Sequence, residues 1–249
     1  MKVKKVKVVG QNKAFVKEME RELKNHGIEI VDKRPDILVT LGGDGTYLYH
    51  ERISPNIPKL LIRDQNVCHK CSIDRVDKAI QRLKKGNFII RKHMKLEMIF
   101  KNNKRIAAND VVIRNKELFH AMRCQVFIND EQFNGEIIGD GVVVATPFGS
   151  MAYFYSITKH SFKRGIGIAF NNQRKRFNRI ILKDDAEIKV KILRNPALLV
   201  TDNDEKVIEL KEGDEVIIKK AKITAKIVDM NAGWLERLKC YFSRKRECL

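Results

Sequence analysis

Leu38-Val39-Thr40-Leu41-Gly42-Gly43-Asp44-Gly45-Thr46 decides how this chain is read. An apolar run with β-branched residues after Pro35-Asp36 predicts a buried parallel strand. Three glycines around one carboxylate then predict a tight turn at which the backbone can approach a ligand without a Cβ in the way. Tyr47-Leu48-Tyr49-His50-Glu51 opens a helix, whose first N–H groups favour anions. Asp44 therefore belongs on a strand-to-helix turn at the carboxyl end of a strand, where open α/β sheets bind ligands. A carboxylate among phosphate-friendly glycines is either a metal ligand or the base for a hydroxyl attacking a phosphate.

Strands and helices alternate on both sides of this turn. Val3–Val9, Ile28–Val31, Ile37–Leu41 and Lys59–Ile62 read as strands. Asn12–His26, with Phe15, Met19 and Leu23 at helical spacing, and Ile73–Lys85 read as helices, stopped by Gly27 and Gly86. Such alternation implies a parallel sheet with helices on its faces. Beyond Phe88 the pattern changes to short β-rich runs separated by Asn102-Asn103, Asn129-Asp130, Asp202-Asn203-Asp204 and Glu212-Gly213-Asp214. The expected fold is thus an α/β N-terminal domain with a parallel sheet at residues 1–90 and a β-rich, sandwich-like C-terminal domain at 91–228. Ala107–Ile113 is expected to be one continuous strand of the second domain. A C-terminal helix at 229–249, with Trp234, Leu235, Leu238, Tyr241 and Phe242 on one face, is expected to pack back on the body, an amphipathic membrane anchor being the alternative.

A net charge of +19 attracts polyanions, whether nucleic acid, acidic membrane or phosphorylated small molecules. The basic residues are scattered, and no aromatic interleaves with a basic run as a base-stacking platform needs. Phosphate attraction plus solubility is the reading taken, and nucleic acid is not the expected partner. No apolar stretch approaches the roughly 18 residues that span a bilayer, and the alternating cationic and apolar start is not a signal peptide, so a cytoplasmic protein without membrane association is expected. Cys68-His69-Lys70-Cys71 has zinc-ligand spacing but no second pair at suitable distance, so no structural metal is expected. The five cysteines, an odd count, argue against a disulfide framework.

Gly42-Gly43-Asp44-Gly45-Thr46 is shared by a superfamily of hydroxyl kinases, and two later motifs narrow the resemblance. Ala107-Ala108-Asn109-Asp110-Val111-Val112-Ile113 resembles the Asn-Glu motif of NAD kinases. Asp140-Gly141-Val142-Val143-Val144-Ala145-Thr146-Pro147-Phe148-Gly149-Ser150-Met151-Ala152-Tyr153 resembles their long signature. Leu199-Val200-Thr201-Asp202-Asn203-Asp204 looks like the family's late Asp-Gly turn. The resemblance covers nearly the whole chain in the right order, and points to a divergent, archaeal-type member.

That resemblance implies phosphorylation of the 2′-hydroxyl of the adenosine ribose of NAD, giving NADP. ATP, or polyphosphate, is the implied donor, and a divalent cation, Mg2+ first, is the implied cofactor. It implies the donor on the N-terminal part, most of the NAD on the C-terminal part, the active site in the cleft between, and a homodimer or homotetramer. Asp44 is the implied base and helps position the metal; Gly42, Gly43, Gly45 and Thr46 shape the phosphate turn, with Arg63 as a further phosphate ligand. Asn109, Asp110, Asp140, Met151, Ala152 and Tyr153 are the implied NAD contacts. Structural readings stand beside these: Asn109 as a strand-edge turn, Asp140-Gly141 as a hairpin pair, Tyr153 as core, Asp202-Asn203-Asp204 as a tight turn.

The pattern breaks in three places. Leu61–Cys71 has no glycine where the family has several; Phe148 and Met151 stand where it has hydroxyl residues; and Phe154–His160 replaces its small residues and Gly-Gly-Pro. Lost polar readout can shift substrate preference by orders of magnitude. A kinase of the same fold acting on another hydroxyl, a nucleoside or polyol, and a catalytically silent nucleotide-binding regulator are therefore the alternatives.

Overall fold

Alternation of lysine and valine at the start of the chain buries Val6 and Val8 and leaves Lys5 in solvent, and this strand becomes the centre of a parallel sheet. The computed structural model describes residues 2–62, 73–117, 119–174 and 179–230. These fall into two compact units, one of residues 1–47, 56–92 and 226 onward, the other of 48–55 and 93–225.

In the first unit β1 (Lys5–Gly10) is flanked by β2 (Glu29–Ile30) and β3 (Ile37–Leu41), and β4 (Lys59–Ile62) lies on the far side of β3, all parallel. The end of the long strand β16 (Glu215–Asp229) adds to β4, also in parallel, with Ile227 opposite Lys59. Helix α1 (Lys13–Asn25) starts where the Asn12 side chain accepts the amides of Ala14 and Phe15, at 3.1 and 3.2 Å. Its buried face is Phe15, Met19 and Leu23, as the spacing predicts, each contributing about 1.5–3 kcal/mol by burial. Helices α2 (Asp44–Ile53) and α3 (Ile73–Lys85) follow β3 and precede β5, respectively.

The second unit is two antiparallel sheets sharing one core. One contains β8 (Met122–Ile128), β9 (Glu131–Gly139), β13 (Ile188–Arg194) and β16, with β5 (Ile89–Phe100) and β6 (Asn103–Ala107) paired to each other beside them. The other runs β12 (Arg179–Leu182), β11 (Ile166–Asn171), β10 (Gly141–Ala145), β7 (Asp110–Asn115), β14 (Ala197–Thr201), β15 (Ile208–Leu210). Leu96, Val126, Val190 and Ile218 of the first sheet and Ile113, Val144, Ile168 and Leu199 of the second meet in that core. Short helix α4 (Tyr153–Thr158) covers the outer face of the second sheet, with Phe154 against Val143, Ala145 and Ala169. Cys124 lies in the core; burial first, and the Glu136 charge second, push its thiol up to about 12, which leaves it an inert apolar filler.

Two expectations, and one of the structural readings set beside them, are corrected. Ala107–Ile113 is not one strand: it breaks at Ala108-Asn109, where the chain leaves β6 in one sheet and enters β7 in the other. Asp140-Gly141 is not a hairpin turn, because β9 and β10 also belong to different sheets. The helix after the glycine turn begins at Asp44 rather than beyond Thr46. The expected C-terminal helix, apart from its first two residues, and Cys68-His69-Lys70-Cys71 lie outside the described residues. No helix among the described residues is long and apolar enough to cross a membrane.

Candidate active-site residues

β3 is buried along its whole length between β1 and β4, and its last carbonyl leads straight into Gly42. Gly42 has φ +142°, and a Cβ there would sit 2.6 Å from Thr46 Oγ1, so this position excludes a side chain on two counts. Its amide donates to the Ile62 carbonyl at 2.9 Å, tying the turn to β4. A Cβ on Gly43, by contrast, would meet nothing, and Gly43, Asp44 and Gly45 are all exposed. Asp44 is the acidic residue of the first turn of α2 and is exposed.

In the second unit the sheet order brings distant sequence together. β7 lies between β10 and β14, antiparallel to both. The start of β7 is therefore opposite the ends of its neighbours: Asp110 faces Ala145, and Val111 faces Thr201. The Ala108-Asn109-Asp110 corner thus meets Thr146 at the end of one strand and Asp202 at the end of the other.

Both meetings are hydrogen-bonded. The Asp202 carboxylate accepts three amides in succession: Ala108 at 2.7 Å on Oδ2, Asn109 at 2.7 Å and Asp110 at 3.1 Å on Oδ1. Its own amide donates to the Asp110 carbonyl at 2.9 Å, from a left-handed φ of 52°. On the other side the Thr146 amide donates to the Asn109 carbonyl at 2.8 Å, and its hydroxyl to the Ala108 carbonyl at 2.7 Å. That hydroxyl in turn accepts the Gly149 amide at 3.0 Å. A Cβ on Gly149 would lie 2.2 Å from the Asn109 carbonyl oxygen, so only glycine permits this approach.

The corner presents Asn109 and Asp110, both buried. The Asn109 side-chain oxygen has no hydrogen-bond partner among the described residues. A buried acceptor left unpaired costs about 1–3 kcal/mol, which a ligand donor would recover. Burial, and then the Asp202 charge, push the Asp110 carboxyl up to about 7. Burial also raises Asp202, against the opposing pull of the three amides and the Lys95 ammonium. Lys95 is itself ion-paired with Glu51, and each is only 2% exposed.

The other implied NAD contacts lie elsewhere. Asp140 precedes β10, at the opposite end from the corner and about 17 Å from Ala145 along the strand; its carboxylate accepts the Asn172 amide group at 3.0 Å. The Tyr153 hydroxyl accepts from Asn171 at 3.3 Å, and Asn171 is the residue paired with Gly141, so Tyr153 reaches toward the Asp140 end. Met151, 48% exposed, and Ala152 lie on the surface between them in sequence, before α4. The Phe148 ring stands 5.2 Å from that of His93. Ser150, the hydroxyl between Phe148 and Met151, is occupied by the carbonyls of Pro147 and Phe162. Arg63 lies outside the described residues. Thr146, Gly149 and Asp202 were missed as site-building residues; the signal for Asp202 was a carboxylate directly after the apolar run Leu198-Leu199-Val200-Thr201.

Residues 108–230 match the ATP-NAD kinase C-terminal domain, so this match covers the corner and both ends of β10. A protein of Clostridium perfringens named NAD kinase is 30% identical over 213 residues, which are 79% of this chain and 75% of that one. The fold is that of an NAD kinase from Archaeoglobus fulgidus solved with ATP (TM-score 0.73, 17% identity, 91% and 94% of the two chains). It is also that of yeast NADH kinase solved with NADH (TM-score 0.74, 19% identity, 95% and 86%). With the glycine turn, the Asn109-Asp110 corner and the Thr146–Tyr153 segment all in place, this chain belongs to the NAD kinase family.

Proposed function

We propose that this protein is an NAD kinase, transferring the terminal phosphoryl group of ATP to the 2′-hydroxyl of the adenosine ribose of NAD. The observation that carries the reading is the corner: three separate strand ends build it, and it presents a buried, unpaired Asn109 oxygen beside an acid poised near neutrality. That pair suits ribose hydroxyls, since Asn109 accepts a hydroxyl hydrogen and Asp110 either donates or accepts according to its proton. Asp140 and Tyr153, about 17 Å away along β10, suit the far part of an elongated dinucleotide, with Met151 and Ala152 beside them.

In the transfer, the 2′-oxygen forms a bond to the terminal phosphorus, the bond to the bridging oxygen breaks, and ADP leaves. Asp44 accepts the hydroxyl proton. Gly42, Gly43, Gly45 and Thr46 shape the turn that receives donor phosphates, and Arg63 adds charge to it. Mg2+ is held by one or two carboxylates plus substrate phosphates rather than by a protein cage. The exposed Asp44 carboxylate fits that role, and bound cation would neutralise phosphate charge. A cytoplasmic homo-oligomer is part of the same proposal, and light scattering of the purified chain reads its size.

The test is NADP formation from NAD, ATP and Mg2+, run beside Asp44→Asn. Wild-type activity and a loss of about 10²–10⁴-fold in kcat for the variant support the reading. A folded wild type that binds NAD but makes no NADP moves the acceptor to another hydroxyl, the reading that the apolar Phe148 and Met151 favour.

A further inference from the structure

The corner grips the segment that leads from β10 to α4 at two points: through the Thr146 hydrogen bonds, and where the Gly149 backbone lies against the Asn109 carbonyl. Between Thr146 and Ala152 only two side chains can hydrogen-bond, and both are turned inward. The Thr146 hydroxyl donates to the Ala108 carbonyl and accepts the Gly149 amide, and the residue is wholly buried. The Ser150 hydroxyl is shared between the carbonyls of Pro147 and Phe162 and accepts the Phe162 amide at 3.2 Å; Ser150 is buried too. What the segment leaves toward solvent is apolar: Pro147 and Phe148, half-buried, Met151, 48% exposed, and Ala152. A nucleobase laid against it meets an aromatic ring and methyl groups, and no hydroxyl of the segment.

Two polar side chains border this surface. Asn109 does so at Gly149, and His93 through its ring, 5.2 Å from that of Phe148 and tilted by 60°. Neither has a fixed hydrogen-bonding sense, because an amide group carries a donor and an acceptor and a neutral imidazole presents either by tautomer. A site built to hydrogen-bond one edge of its ligand rejects an analogue lacking that edge by about 10⁴–10⁵-fold. Stacking on an aromatic ring strengthens binding by about 5- to 150-fold and does so for any base, since every base has a π-face.

We propose that this protein accepts nicotinamide dinucleotides irrespective of their purine, the base lying on Phe148 and not selected by its hydrogen-bonding edge. The further activity is transfer to the 2′-hydroxyl of the hypoxanthine and guanine dinucleotides, with the same bonds made and broken as for NAD and the proton passing to Asp44. The transfer rests on the kinase reading above; equal binding of the three bases does not.

The test compares kcat/KM for NAD, nicotinamide hypoxanthine dinucleotide and nicotinamide guanine dinucleotide at fixed ATP and Mg2+, beside calorimetric titration of the full chain with each. Hypoxanthine and guanine reverse the edge of adenine: a carbonyl replaces the amino group, and N1 carries a hydrogen. Values within about tenfold of one another support the proposal, and a preference for adenine of more than about tenfold over either analogue overturns it. Phe148→Ala should weaken all three by one common factor, about 5- to 150-fold. Phe148→Leu keeps apolar bulk under the segment, and should weaken all three by a smaller common factor. A loss confined to one base, or no loss in either variant, overturns the place given to Phe148 and the proposal with it. Turnover and binding separate the two claims. NADP formation with a strong adenine preference removes the proposal and leaves the kinase. Equal binding of all three without NADP formation removes the kinase and leaves the stacking surface. Binding of none removes both.

Discussion

Asp202→Asn is the sharpest test of how the corner is built, because it removes a charge and one acceptor while keeping the shape. With the amide oxygen in the place of Oδ1, the amides of Asn109 and Asp110 keep their acceptor, and the amide of Ala108 faces an NH2 group instead. One buried N–H left without an acceptor costs about 1–3 kcal/mol. The two bonds that survive pass from a charged to a neutral acceptor, each losing about 1 kcal/mol. Relief of the repulsion between Asp202 and Asp110 returns part of this, leaving a net loss of about 3 kcal/mol. For a chain of this length that is a fall in Tm of roughly 6–12 °C, read by circular dichroism near neutral pH. Stability alone does not separate a local role from a general one, so the second readout is catalytic. A corner displaced by even about 1 Å should lower kcat/KM for NAD about 100-fold. Asp202→Glu, which keeps the charge but moves it one methylene, should not restore the rate. A change in Tm below about 2 °C together with unchanged kcat/KM would show that the three amides are satisfied some other way and that Asp202 does not hold the corner.

Gly149→Ala places a Cβ against the Asn109 carbonyl oxygen, so the corner must shift; a loss of about 3 kcal/mol in urea unfolding and a raised KM for NAD are expected, and an unchanged KM would contradict the close approach. Asp110 keeps its proton up to about 7 when folded against 3.8 for the ordinary carboxyl, so it favours folding fully at acid pH and its contribution is lost as pH rises from about 4 through 7. Asp110→Asn should therefore flatten the fall in stability across that window, by at most ~4 kcal/mol, and a parallel pH profile would refute the assignment. Glu51→Gln leaves the buried Lys95 without its countercharge and should cost about 3 kcal/mol, the low end for a broken buried pair because Asp202 stays near, while adding Lys95→Met should recover part of it.

The parts of this molecule that were legible in sequence are those set by local periodicity. The two-residue alternation of β1, the Phe15-Met19-Leu23 stripe of α1 and the apolar run of β3 each carry their own geometry, and each lies where it was expected. The glycine turn was legible for the same reason, since its steric demand is met within five residues, between Gly42 and Thr46. The start of α2 was misjudged by three residues because glycine at position 45 argues against helix, whereas the turn tolerates it in the first helical turn. Ala107–Ile113 was misread as a single strand because it is apolar on both sides of Asn109-Asp110; nothing local shows that the chain changes sheets there.

Asp202 shows why the rest of the site was not legible. As a tight turn its local reading is correct: it has the left-handed φ that aspartate and asparagine tolerate. Its role is set 92 to 94 residues away, by three amides that no periodicity connects to it. What connects them is strand order. Because β7 runs antiparallel between β10 and β14, the residue after each neighbour must arrive beside the residue before β7. A break between β6 and β7 exposes amides and carbonyls that a continuous strand would have paired, and buried backbone groups must find partners. The carbonyls find Thr146 and the amides find Asp202. The three motifs are therefore one structural device: a strand that breaks to present Asn109, and two flanking strand ends that make the break affordable.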